Sequence, residues 1–204
     1  MANNHQLSAE QIQSFLDDGY LIVPHLFDQE EADLLLAAAQ ADPMMKDHTL
    51  DVDDRSGRNS QITVWNHPSN DIWGMVSCSH RVVDAMEAML GGEVYHYHSK
   101  LLYKKPEVGG AWEWHQDYGY WYGNGCPYPR LASAMVTVNE ASKENGCLKV
   151  LVGSHLLGRL DHGICGDQHG IDSEWTTALE ARLPVRYVES KPGSVLFFHC
   201  NLLH

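Results

Sequence analysis

The chain is predicted to be a single α+β domain, residues 1–204, with helices at the front and a β-sandwich or jelly roll behind. Three observations carry this. A length of 204 residues suits one domain, which at that size buries roughly 70% of the surface its unfolded chain exposes. Before Gly92, apolar residues recur at helical spacing behind capping residues. After Gly92 the grammar changes to short β-type runs separated by Gly, Pro and Asn, at the spacing of a sandwich or barrel.

Ser8 with Gln11 forms a capping box, and Ile12, Phe15 and Leu16 then share a helical face until Gly19 stops the turn. Tyr20 to Val23 reads as a strand ended by Pro24. Asp28 with Glu31 repeats the capping pattern ahead of Ala32, Leu35, Leu36 and Ala39, so a second helix runs to about Ala41. Pro43 to Ser60 is polar and aperiodic and reads as a loop, either a binding segment or a solvated excursion. Ile62 to Trp65 is a strand, and Ile72 to Leu90 one helix closed by Gly91 and Gly92. The β-type runs are Val94 to Tyr103, Trp112 to Asp117, Leu131 to Val138, Cys147 to Val152, Val185 to Glu189 and Ser194 to His199. Gly153 to Glu180 is a long insertion in which Ser173 caps a short helix.

Charge narrows the function classes. Lys plus Arg number 14 against 27 Asp plus Glu, a net charge of −13, which disfavours nucleic acid and anionic lipid as partners because both require a basic surface. No apolar run reaches the length of a membrane span, and Met1 to His5 lead into polar sequence, so a cytoplasmic protein is expected. Five cysteines without a CxxC pair indicate reduced thiols rather than a disulfide framework or zinc knuckle.

The 13 histidines raise the question of which converge. In Trp114-His115-Gln116-Asp117, a strand would place His115 and Asp117 on one face, as two members of a 2-His-1-carboxylate triad on non-haem Fe(II). An HxD alone is commonplace. Its weight comes from the turn Lys191 to Ser194, the apolar strand Val195 to Phe198 and the histidines that follow, His199 and His204, which a jelly roll would return to the HxD strand. His96 and His98 form an HxH pair of the kind a cupin metal site uses, with no third ligand at a suitable distance. His155, His162 and His169 recur every seven residues, but Gly158, Gly163 and Gly166 break any helix that would align them, so they read as loop histidines.

Three stretches, HQDYGYW (His115 to Trp121), ENGCLKVLVGSH (Glu144 to His155) and PGSVLFFHCNLLH (Pro192 to His204), resemble the phytanoyl-CoA dioxygenase family of Fe(II)- and 2-oxoglutarate-dependent oxygenases, which includes the ectoine hydroxylases. The resemblance is close from Lys100 to His204. It implies a double-stranded β-helix, or jelly roll, with N-terminal helices packed on it. The implied activity is hydroxylation of a C–H bond of a small-molecule substrate, with release of succinate and CO₂. His115, Asp117 and His204 are implied as iron ligands, the family's ligand being the His that ends the "LLH" stretch, with His199 its near neighbour. Lys100, Gln116, Met135 and Trp121 match positions close to 2-oxoglutarate or shielding the iron face. The substrate is expected to be a small polar metabolite, since Lys104-Lys105 is the only adjacent basic pair near the site to meet the phosphates of an acyl-CoA. Relatives continue past the distal His to an Arg that pairs with 2-oxoglutarate. The sequence stops at His204, so the expectation is a truncated record of a longer protein or a non-catalytic metal- or ligand-binding relative.

Overall fold

The structure is a computed structural model that describes residues 6–43, 47–54, 56–104 and 109–204. Helix α1 (Ala9–Asp18) begins at a complete capping box between Ser8 and Gln11 and ends at Gly19, whose φ of 83° supplies the left-handed cap that other residues adopt only with strain. Strand β1 (Tyr20–Val23) follows, then α2 (Gln29–Ala41), capped reciprocally by Asp28 and Glu31. Phe15 of α1 is buried whereas Leu16, expected on the same face, is exposed.

The span expected to be a loop is partly a hairpin. Strand β2 (Leu50–Asp53) pairs antiparallel with β3 (Asn59–Trp65), which pairs in turn with β4 (Ser99–Tyr103). The expectation failed because β2 is an edge strand with little burial, so no apolar alternation marks it. Asp54 closes the hairpin, its carboxylate accepting the Ser56 and Arg58 amides, the Ser56 hydroxyl and the Ala111 amide. The helix expected over Ile72 to Leu90 is two, α3 (Ile72–Ser77) and α4 (His80–Leu90), because Asp71 and Ser79 each cap a separate start.

The central sheet has the order β1, β10 (Val195–His199), β5 (Ala132–Val136), all antiparallel. Both faces of β10 are covered, which is why its sequence is apolar without alternation. Val195 and Phe197 pack with Phe15, Val82, Ala85 and Met89 of the front helices. Leu196 and Phe198 point the other way, into a core with Val150, Val188, Leu202, Ile22 and Met135. Strands β6 (Lys149–Leu151) and β9 (Val185–Tyr187) form the facing ribbon. The insertion carries a hairpin of β7 (Gly163–Cys165) and β8 (Gln168–Gly170), then α6 (Ser173–Glu180), whose N-cap is Asp172 rather than the expected Ser173. The fold is thus α+β, a jelly roll with N-terminal helices packed on it. No helix among the described residues is long and apolar enough to cross a membrane.

Two further runs differ from expectation. Only Ser99–Tyr103 of the segment from Val94 is paired, and Trp112 to Gln116 joins no sheet. Instead α5 (Asp117–Gly123) starts at Asp117.

Candidate metal centre

The same-face geometry read from a strand survives without the strand. Gln116 keeps extended dihedrals, φ −111° and ψ 132°, so His115 and Asp117 flank one extended residue, with Asp117 opening α5. A reciprocal backbone pair brings in the distal histidine: the His115 N–H donates to the His204 carbonyl and the His204 N–H to the His115 carbonyl, both at 3.1 Å. The Tyr118 N–H donates to the Cys200 carbonyl at 2.9 Å and ties α5 to the end of β10. One donor atom each from His115, Asp117 and His204 lie within 4.8 Å of one another, and all three residues are buried. They are the one group of three potential metal donors among the described residues.

Each imidazole is oriented by its own backbone. His115 Nδ1 lies 2.8 Å from the Glu113 carbonyl, and His204 Nδ1 lies 3.0 Å from the Leu202 carbonyl. A carbonyl only accepts, so both Nδ1 atoms carry the proton and both Nε2 lone pairs are left to bind a cation. Burial lowers the His115 pKa to about 3 and also lowers that of His204, so both are neutral at physiological pH. For Asp117 burial alone would raise the pKa. The Lys100 ammonium, 3.4 Å from Oδ1, and the Ser133 hydroxyl, donating to Oδ2 at 2.9 Å, oppose it, and the carboxyl is held well below its usual range. Two neutral nitrogens and one anionic oxygen, converging from one side, suit a six-coordinate Fe(II) with positions left open.

The remaining expected residues are placed as follows. Lys100 reaches the site through its pair with Asp117. Met135 lies beside Leu196 on β5 and faces the inner core that Phe198 shares; the Phe198 ring packs 4.7 Å from that of His204. Trp121 is buried edge-on against Tyr97 and His98. Gln116 is fully buried, and its carboxamide turns away from the ligands: its NH₂ donates to the Gly158 and Asn201 carbonyls at 2.7 and 2.8 Å, and its oxygen accepts from Leu160 N–H at 2.7 Å. His199 stands outside the cluster; its Nδ1 accepts from Asn201 N–H and its ring lies against Phe15 and His155. The HxH pair does not assemble a site, since His96 Nε2 bonds Ser99 Oγ at 2.8 Å while His98 packs on Trp121.

Sequence reasoning missed Ser133, Tyr120 and His162. Ser133 shares the inner face of β5 with Met135, a position the strand's alternation reveals once its register is known. The Tyr120 ring meets His115 edge-on at 5.9 Å. His162, read as a loop histidine, accepts a hydrogen bond from the Gln116 N–H, between the two nearest candidate ligands.

Comparison with known proteins adds independent findings. The family model described as Phytanoyl-CoA dioxygenase (PhyH) matches residues 15–204. The ectoine dioxygenase of Sphingopyxis alaskensis is 30% identical over 217 residues, covering 99% of this chain and 71% of that protein. The L-proline trans-4-hydroxylase of Streptomyces griseoviridis is 27% identical over 139 residues, covering 60% of this chain and 52% of that protein. Among solved structures, EctD from S. alaskensis with 2-oxoglutarate and 5-hydroxyectoine matches 100% of this chain and 71% of its own, with a TM-score of 0.81 at 30% identity. The same enzyme with bound Fe matches with a TM-score of 0.81 at 29% identity.

Proposed function

This chain belongs to the phytanoyl-CoA dioxygenase family, and we propose that His115, Asp117 and His204 are the iron ligands through which it acts on a small polar metabolite. It is a 2-oxoglutarate-dependent dioxygenase, with Fe(II) as its metal and 2-oxoglutarate as cosubstrate. When bound, Fe(II) with 2-oxoglutarate and O₂ supplies the oxidising power for hydroxylation of a C–H bond, with release of succinate and CO₂. The observation that carries the ligand assignment is the convergence of two neutral, backbone-tethered imidazoles on one buried carboxylate.

In this reading each side chain has a defined task. His115 and His204 offer Nε2, and their Nδ1–H bonds to backbone carbonyls keep the rings from rotating away. Asp117 supplies the single negative charge, kept ionised by Lys100 and aimed by Ser133. Lys100 also presents the cation that a 2-oxoglutarate carboxylate would meet. Met135 and Trp121 supply apolar wall that excludes water, and Gln116 serves the cosubstrate site through the segment it anchors.

The substrate class rests on charge. Among the described residues near the site, Lys100 is engaged with Asp117, Arg159 with Asp161 and Lys149 with Glu180, while Lys104 donates to the Gly146 carbonyl. Among the described residues that leaves no basic cluster for the phosphates of an acyl-CoA, Lys105 lying outside them, and relatives named for ectoine and L-proline act on compact molecules. Succinate release from 2-oxoglutarate, measured with Fe(II) and O₂, should be slow alone and rise several-fold with a member of a panel of ectoine, L-proline and similar cyclic amino acids. Stimulation by a long-chain acyl-CoA and by none of the small molecules would overturn the substrate class. Undiminished metal binding by Asp117→Ala would overturn the ligand set.

A further inference from the structure

Gly158 to Ile171 wraps around the segment that carries His115 and Asp117, and the two are clasped reciprocally. The Gln116 side chain grips the Gly158 carbonyl and Leu160 amide, while the His162 side chain grips the Gln116 amide, with Nε2 2.9 Å from that N–H. The direction of that bond fixes the tautomer. Nε2 accepts and therefore has no proton, so Nδ1–H donates to the Leu160 carbonyl at 2.9 Å. Both ring nitrogens are thus spent on backbone, and neither is free to bind metal or move a proton. The ring also fits against bare backbone. A Cβ at Gly119, in the first turn of α5, would lie 2.3 Å from His162 Cε1 and 2.6 Å from Nε2. Two more ties hold the same segment. The Gln168 carboxamide spans Glu113 N–H and the Ala111 carbonyl, and the Tyr120 hydroxyl donates to the His169 carbonyl while accepting from its amide.

We propose that His162 is a positioning residue for the metal centre, fixing through the Gln116 peptide the angle between the two ligands that flank it. The inference rests on the ligand assignment made above. The chain passes from His115 to Asp117 through the single residue Gln116, so the orientation of the His115–Gln116 peptide is one of the few backbone settings that decide how their donor atoms converge. A packing role alone would need only a ring of this size. A positioning role needs the acceptor nitrogen, and it needs glycine at 119 so that the ring can reach the peptide.

The test is titration of Co(II) into the metal-free protein, reading affinity and the visible d–d spectrum, which reports ligand geometry. His162→Phe keeps the ring and loses the acceptor. Gly119→Ala keeps the acceptor and pushes the ring away. Both should bind Co(II) about 10- to 100-fold more weakly with a shifted spectrum, the range seen when groups that orient metal ligands are removed. His162→Gln, which retains an acceptor, should recover part of the affinity. Wild-type affinity and spectrum in a folded His162→Phe protein would overturn the proposal. Should that variant fail to fold, Gly119→Ala decides alone by the same criterion. Absence of Co(II) binding by the wild type would instead overturn the ligand assignment and this inference with it.

Discussion

At the scale of single residues, the tandem histidines at the end of β10 show how little separates a ligand from a packing group. His199 and His204 are five positions apart, and both have pKa values lowered by burial. They differ in what the free ring nitrogen faces. In His204 the Nδ1–H is tied to Leu202 and Nε2 looks toward Asp117 and His115; in His199 the Nδ1 lone pair is consumed by Asn201 N–H. His204→Ala should therefore lose Fe(II) or Mn(II) binding by calorimetric titration, whereas His199→Ala should retain it within a few-fold and lose stability only. Lys100 tests the same cluster from its charged side. Lys100→Met strips the nearest full positive charge from a buried carboxylate and leaves it short of a partner, which should lower metal-free stability by about 1–3 kcal/mol in chemical denaturation. An unchanged denaturation midpoint would show that Lys100 prefers solvent.

Among the elements, β10 links fold to chemistry, because its alternate residues belong to different cores. Phe197 faces the helices and Phe198 faces the site. Phe197→Ala should cost about 3–5 kcal/mol through cavity formation. The sharper expectation is that the surviving folded fraction keeps metal affinity near wild type, since no Phe197 atom touches the ligand face. A loss of affinity larger than the loss of folded protein would contradict that separation. The elements that sequence located best were those with local signatures: capping boxes at α1 and α2, a glycine closing α4, an apolar run at β10. Those it misjudged carried weak or misleading ones. β2 is an exposed edge, the break between α3 and α4 is a cap hidden inside a continuous apolar pattern, and Trp112 to Gln116 joins no sheet despite its β-type composition.

For the whole molecule, buried neutral histidines tie stability to pH. Burial sets His199 at about 4 and His115 at about 3, against an ordinary value near 6.5, and His98 and His162 shift the same way. Below pH 6.5 the unfolded chain binds protons that the folded one refuses, so metal-free stability should be full above that pH and decline as pH falls through about 4. Denaturation midpoints at pH 8, 7, 6 and 5 check the sign, and a flat profile across that range would show these rings to be solvated. The sequence by itself determined the helical front and the β-rich back and displayed the HxD pair, because periodicity, caps and short-range spacing are local properties that any fold must honour; His204 is singled out over His199 by the family resemblance of its stretch. Tertiary structure alone decided that His204 meets His115 through a reciprocal backbone pair, that Ser133 and Lys100 converge on Asp117, and that a loop histidine clasps Gln116. Each joins groups far apart in sequence, and no local pattern records which backbone carbonyl or amide a distant side chain will reach until both are packed.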